Sequence, residues 1–269
     1  MSKIRMTRWA GALPISLLLL AAVACAPAGD RVDEEARTQA WTGIEQAREG
    51  LDQKRQDLAD LRARIAQGVE GIELPEGAEQ TAEEALAELV AQAAALETEV
   101  TAAADDLMAK IVNFINEDPM IQGEEPTELQ LAGIRAKSSE DLVLALEYVE
   151  KGGDYKRAED IIARALELDP DNAELAEKLA WVRQMRFMTE ERFAAVETGM
   201  TQEQVRQALG QPNLNNVRDF EGGVVAWFYP RGANAAADGA AGVYFRPERG
   251  VLKVYEANFD AVKPTAEGG

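Results

Sequence analysis

The chain has 269 residues, 46% of them hydrophobic, 48 acids against 28 bases for a net charge of −20, no histidine and one cysteine. Such acidity repels nucleic acid, the missing histidine and thiol remove most metal sites and nucleophile–base pairs, and a single cysteine allows no internal disulfide. The fold must rest on burial, and its length allows two or three domains; no cofactor and no catalytic constellation is expected.

At the N-terminus, Lys3, Arg5 and Arg8 precede an apolar stretch at 17–23, too short to span a bilayer, and small residues then lead to Cys25. This pattern predicts a secretion signal over 1–24, and its removal with three positive and no negative charges takes the net charge from −20 to −23. The string A-V-A-C at 22–25 resembles the lipobox of bacterial lipoproteins, which implies acylation of Cys25 and a membrane anchor in place of a membrane span. Ala26 stands where an aspartate would favour inner-membrane retention, so the resemblance implies an outer-membrane address facing the periplasm. Residues 25–30 are then a tether.

Over 31–117 the sequence predicts an antiparallel coiled-coil hairpin. Ile44, Leu51, Leu58, Ile65 and Ile72 recur every seven residues, with Trp41 and Leu61 on the flanking seam position. A break at 68–77 contains Pro75, after which Leu86, Leu89, Ala93, Leu96, Val100, Ala103, Leu107 and Phe114 resume the pattern. Arms of nearly equal length around a Gly/Pro turn are each on the order of 55 Å long at 1.5 Å per residue. Such a hairpin serves as a spacer from the bilayer or as a docking surface for a partner helix, with Trp41 the candidate anchor. Its thin core also leaves room for homo-oligomers through the coil.

Asp118-Pro119 stops the second arm, and 118–126 reads as a linker. The segment SEDLVLALEYVEKGGDYKRAEDIIARALELDPDN from Ser139 predicts two helices around Gly152-Gly153. It resembles a tetratricopeptide repeat at Gly153, Tyr155, Ala158, Ala165, Leu166 and Pro170, which implies a protein- or peptide-binding helix pair within a unit at 127–188. Leu142, Leu146, Val149 and Ile162 keep the apolar face. A further helix from 173 to 188 is expected to start at an Asp171/Glu174 capping box and to carry Leu175, Leu179, Trp181 and Val182. Together with Leu129, Leu131 and Ile134 it should close the unit. Asp169 and Asp171 imitate a calcium loop, but Glu174 and Ala180 occupy the positions that need a glycine and an acid.

Over 189–262 the sequence predicts a small α+β domain. Thr201 and Gln204 form a capping box, Met200 precedes the cap, Leu209 closes the helix, Gly210 fits a left-handed end and Pro212 blocks continuation. Short strands are expected at 215–221, 224–229, 242–246 and 251–256, as a three- or four-stranded antiparallel meander with two helices on one face. The fold class is thus mainly α with this C-terminal α+β unit, and 263–269 is read as a disordered tail.

The string GMTQEQVRQALGQP, with a W-F-Y strand followed by a V-Y-F strand, resembles the BamE (SmpA/OmlA) family of outer-membrane lipoproteins over about a quarter of the chain. The resemblance implies a non-catalytic accessory role in β-barrel insertion and binding to other envelope proteins, barrel-assembly subunits among them. Family members carry this domain close behind the anchor, whereas about 165 residues separate it from Cys25 here. Phe220, Trp227, Tyr229 and Tyr244 form the candidate partner surface. Strand alternation makes half of such a set core, with Trp227 and Tyr229 on one face and Phe228 on the other. The functional expectation is a membrane-anchored protein-binding adaptor of the bacterial envelope. Two alternatives are a self-associating structural lipoprotein and a hydrolase using two carboxylates between the head and the helical unit, whose signature is a pocket with two acids of raised pKa.

Overall fold

The structure is a computed structural model that describes residues 34–72, 80–234 and 238–263. Cys25, the signal segment, the tether, Pro75 and the C-terminal tail from 264 lie outside the described residues. Seven helices and one four-stranded antiparallel sheet are present among the described residues.

Helices α1 (Glu34–Ala66) and α2 (Ala82–Glu117) form the hairpin, and at 1.5 Å per residue they run about 50 Å and 54 Å. Ile44, Leu51 and Leu58 are buried with Ala93, Val100, Leu107 and Ile111, so the seven-residue seam is the hairpin's core. Ile72 departs from that seam. Gly68 takes a left-handed φ of 66° after α1, a short 3-10 turn follows at Val69–Gly71, and Ile72 follows this turn outside the helix. The second arm starts on a reciprocal capping box, Thr81 with Glu84, which satisfies two otherwise orphan N–H groups. Trp41 is not a free docking anchor. It is half-buried and packs on Phe114 with ring centroids 5.5 Å apart, closing the open end of the hairpin.

Helix α3 (Glu128–Gly152) begins at a second capping box, Thr127 with Gln130, and belongs to two packing units. Its first half gives the hairpin a third helix: Ala136 is buried in the hairpin core, and Arg55 Nη2 donates to Glu140 Oε2 at 3.0 Å. A Cβ on Gly133 would meet Phe114 Cδ1 at 3.1 Å, so α3 crosses α2 at close range there and a side chain would push the Phe114 ring by a few tenths of an ångström. Its second half packs with α4 (Tyr155–Leu168) and α5 (Ala173–Arg186) around Leu142, Ala145, Val149, Ile162, Leu175 and Val182. The N-cap of α5 is Asn172, which accepts from Leu175 N at 3.1 Å, in place of the expected Asp171. Asp169 accepts from Asn172 Nδ2 at 2.8 Å and fixes that choice. Glu159 of α4 accepts from Arg183 Nε (3.0 Å) and Arg186 Nη1 (2.8 Å), tying the two helices together.

The C-terminal unit contains α6 (Glu190–Phe193), α7 (Gln202–Leu209) and strands β1 (Val217–Asp219), β2 (Val225–Pro230), β3 (Ala240–Glu248) and β4 (Val251–Val262) in the order β1-β2-β3-β4. The Thr201/Gln204 capping box forms as expected, and Gly210 ends α7 at φ 89°. β1 is shorter than expected at both ends, because Leu214–Asn216 form a 3-10 turn before it and Phe220 leaves the strand for the turn at Glu221–Gly223. β3 and β4 run longer, with register shifts between Ala240 and Gly242 and between Tyr244 and Phe245. Arg249 (φ 51°) and Gly250 (φ 85°) join them in a two-residue turn with both φ positive, matching the strands' right-handed twist. Both helices lie on one face, over a core of Val205, Leu209, Trp227, Tyr229, Val243, Phe245 and Val254.

Candidate partner face and the junction with the helical unit

Along β2 the large rings divide by parity, and Ala226 on the Phe228 side is buried as well. Trp227 and Tyr229 point to the helical side and are 3% and 6% exposed, so neither belongs to a partner surface. Trp227 packs against Phe245 at 4.6 Å between ring centroids, and the Arg206 guanidinium of α7 lies 5.3 Å over its ring. Tyr229 donates its hydroxyl to Gly210 O at 3.2 Å, and burial pushes its phenol well above the ordinary tyrosine range. These two rings are core because α6 and α7 cover this face.

On the opposite face Phe228 meets Tyr244 edge-on at 5.9 Å, and Tyr244 meets Tyr255 at 6.3 Å. The row is half-buried and carries Arg246 over Tyr255 at 5.7 Å. Gly242 lies under the row: a Cβ there would meet Ala261 Cβ at 2.7 Å and come within 3.3 Å of Phe228 Cε1 and 3.2 Å of Tyr244 Cε2. Partial burial raises the Tyr244 phenol, with Glu256 and Tyr255 adding to the effect. Of the four residues expected at a partner surface, Tyr244 therefore stands in an aromatic row, and Phe220 is exposed in the turn after β1. Phe228 and Tyr255 join Tyr244 from positions that sequence reasoning did not select. For Phe228 the available signal was its parity, opposite to Trp227 and Tyr229.

The C-terminal unit is seated on the helical one. Gly153, left-handed at φ 61°, touches the loop after α7 so closely that a Cβ would lie 2.3 Å from Pro212 O. Asn213 Nδ2 donates to Gly153 O at 3.3 Å, and Met188 N donates to Pro230 O at 2.8 Å. Arg192 of α6 reaches back to the end of α5, donating to the carbonyls of Gln184 (2.9 Å), Met185 (3.2 Å) and Phe187 (2.9 Å). It thereby satisfies carbonyls that a helix end leaves open. Burial lowers the Arg192 pKa, while Tyr155 and Tyr229 act in the opposite sense.

A cleft of about 200 Å³ remains at this junction, lined by Tyr155, Arg192 and Tyr229 among others. Asp154 is the one carboxylate among its described lining residues, and its side chain caps α4 by accepting from Arg157 N at 3.1 Å. Among the described residues, the paired acids expected of a hydrolase do not line this cleft. Among the described residues no group of three or more His, Cys, Asp or Glu side chains is placed to hold a metal, and no helix is long and apolar enough to cross a membrane.

The C-terminal unit is thus a small α+β module, with one sheet face packed on helices and an aromatic row on the other. Residues 186–231 match the family model for the outer membrane protein assembly factor BamE domain, so the C-terminal region carries a BamE domain. The match takes in α6, α7, β1 and β2, and the sheet is completed beyond it by β3 and β4. BamE is a non-enzymatic assembly-factor domain. No curated protein and no solved structure matches the chain.

Proposed function

We propose that the chain is a non-catalytic, lipid-anchored adaptor of the bacterial cell envelope that binds other envelope proteins through its C-terminal head. The BamE domain suggests outer-membrane protein assembly or envelope protein interaction and a periplasm-facing, outer-membrane-associated location. In the finer reading, Cys25 carries the anchor, the hairpin sets the distance from the bilayer, and the aromatic row Phe228, Tyr244 and Tyr255 receives the partner. That row carries the proposal: large rings on a solvent-facing sheet supply apolar contact area at low entropy cost, which is how recognition surfaces are built.

The test is recovery of barrel-assembly subunits with the tagged full-length protein from crosslinked membranes, beside Cys25→Ala and a Phe228→Ala/Tyr244→Ala double variant. Recovery should be lost with either change while circular dichroism shows that the double variant, though less stable, is folded at the assay temperature. Undiminished recovery with the double variant removes the aromatic row from the reading, and no recovery with wild type removes the barrel-assembly role.

A further inference from the structure

Arg37 sits in the first turn of α1, and its side chain is 7% exposed. The guanidinium lies 4.4 Å over the Phe114 ring, and Nη2 is 3.2 Å from Asp118 Oδ2. This ion pair lacks hydrogen-bond alignment, so Nη1 and Nη2 are both buried with no acceptor. Four N–H groups of a permanently charged fork are therefore left without a directed partner. Native structures seldom leave buried donors in that condition unless a ligand or water completes them.

The same guanidinium forms part of the wall of a cleft of about 210 Å³ where the open end of the hairpin meets α3 and the end of α4. The rest of the wall is largely apolar, with Phe114 and Ile115 from α2, Ile134 from α3, and Met120 and Leu168. Met120 and Leu168 are 46% and 42% exposed, which puts bare hydrocarbon at the mouth. The charged groups lining the cleft are Arg37, Lys137 and Asp118, two cations and one carboxylate. Lys137 is itself paired with Asp141 on the next turn of α3. In a chain of net charge −20, the cleft is close to electrically balanced, its two cations matched by Asp118 and Asp141.

We propose that the cleft binds a free monocarboxylic acid with an unbranched apolar tail, its carboxylate accepting from Arg37 and its tail lying along Phe114, Ile134 and Leu168. A guanidinium fork matches a planar carboxylate in geometry and charge, and the apolar wall rewards removal of hydrocarbon from water. At roughly 30 Å³ per water-sized group the cleft holds about seven such groups, so about seven carbons fill it and a chain of about eight to ten extends past the rim. This site lies in the helical part, so it stands whether or not the head binds barrel-assembly subunits.

Isothermal titration of the full chain with sodium decanoate, kept below its micelle-forming concentration, tests the assignment. Saturable one-to-one binding is expected, with decanol at least tenfold weaker and butyrate without measurable heat. Arg37→Met should weaken decanoate binding at least tenfold. Leu168→Trp blocks the mouth while leaving Arg37 and Asp118 in place, and it should reduce binding equally with the helical circular dichroism unchanged. Absence of saturable binding to the wild type, equal affinity of Arg37→Met, or decanol binding as tightly as decanoate overturns the proposal, and water then satisfies Arg37. Tenfold tighter binding of a short peptide ending in a free leucine carboxylate overturns the free acid as the ligand.

Discussion

Gly153→Ala separates two reasons for a glycine at the turn between α3 and α4. A left-handed backbone at φ 61° is one, and it costs a residue with a Cβ about 1–2 kcal/mol. The second reason is tertiary. The added Cβ would lie 2.3 Å from Pro212 O, 2.5 Å from Pro212 C and 2.7 Å from Asn213 N, all backbone atoms of the head. Ordinary contact starts at 3.4 Å, so the loop after α7 would have to move by about 1 Å; overpacking of this kind costs about 1–3 kcal/mol. The expected loss is about 2–5 kcal/mol, with the hydrogen bond from Asn213 to Gly153 O broken as the head shifts. Gly152→Ala is the control, because a Cβ at Gly152 would meet nothing within 4 Å and the residue ends a helix in ordinary geometry. Urea denaturation followed by circular dichroism gives the stabilities, and hydrogen exchange gives the local effect, which should appear at 212–216 for Gly153→Ala and not for Gly152→Ala. Equal stability of the two variants would refute the argument that the head is seated on this turn.

Two further outcomes concern the same junction and its neighbour. Arg192→Met leaves three carbonyls at the end of α5 without their charged donor and should cost about 2–4 kcal/mol in urea denaturation, with Arg192→Lys recovering less than half, since an ammonium cannot span all three; full rescue by lysine would contradict this. Burial alone would raise Glu159, but hydrogen bonds and charge from Arg183 and Arg186 outweigh it and hold the carboxyl below its ordinary value. Its stabilising effect is therefore present above the unfolded-state pKa of about 4.3 and is lost as pH falls through the lower folded value. The stability gap between wild type and Glu159→Gln should accordingly be widest near neutrality and narrow below about pH 4; a gap independent of pH across denaturation curves from pH 3 to 7 would show that the ion pairs contribute nothing.

Local chemistry wrote much of this fold into the sequence. The seven-residue recurrence of Ile44, Leu51 and Leu58, the Thr201/Gln204 box, Gly210 and Pro212 each act within a turn or two, and each appears where the pattern puts it. Residues whose role depended on a distant element were less legible. Asp171 and Asn172 are both good caps, and Asp169 settles the choice by holding the Asn172 side chain. In sequence Trp41 reads as a free anchor because Phe114, which it packs on, lies 73 positions away. Alternation put Trp227 and Tyr229 on one face of β2 and Phe228 on the other, yet period-two patterning is symmetric and cannot say which face is inside. Only the docking of α6 and α7 decides that, burying Trp227 and Tyr229 and leaving Phe228 to Tyr244 and Tyr255. The sequence alone therefore determined the two long helices of the hairpin, the cap and end of α7, the strand parity and the BamE-like string, all set by short-range sterics, capping and periodicity. Tertiary structure alone decided which face is open, that α3 is shared by two packing units and that Gly153 seats the head, because those outcomes depend on contacts between residues far apart in the chain.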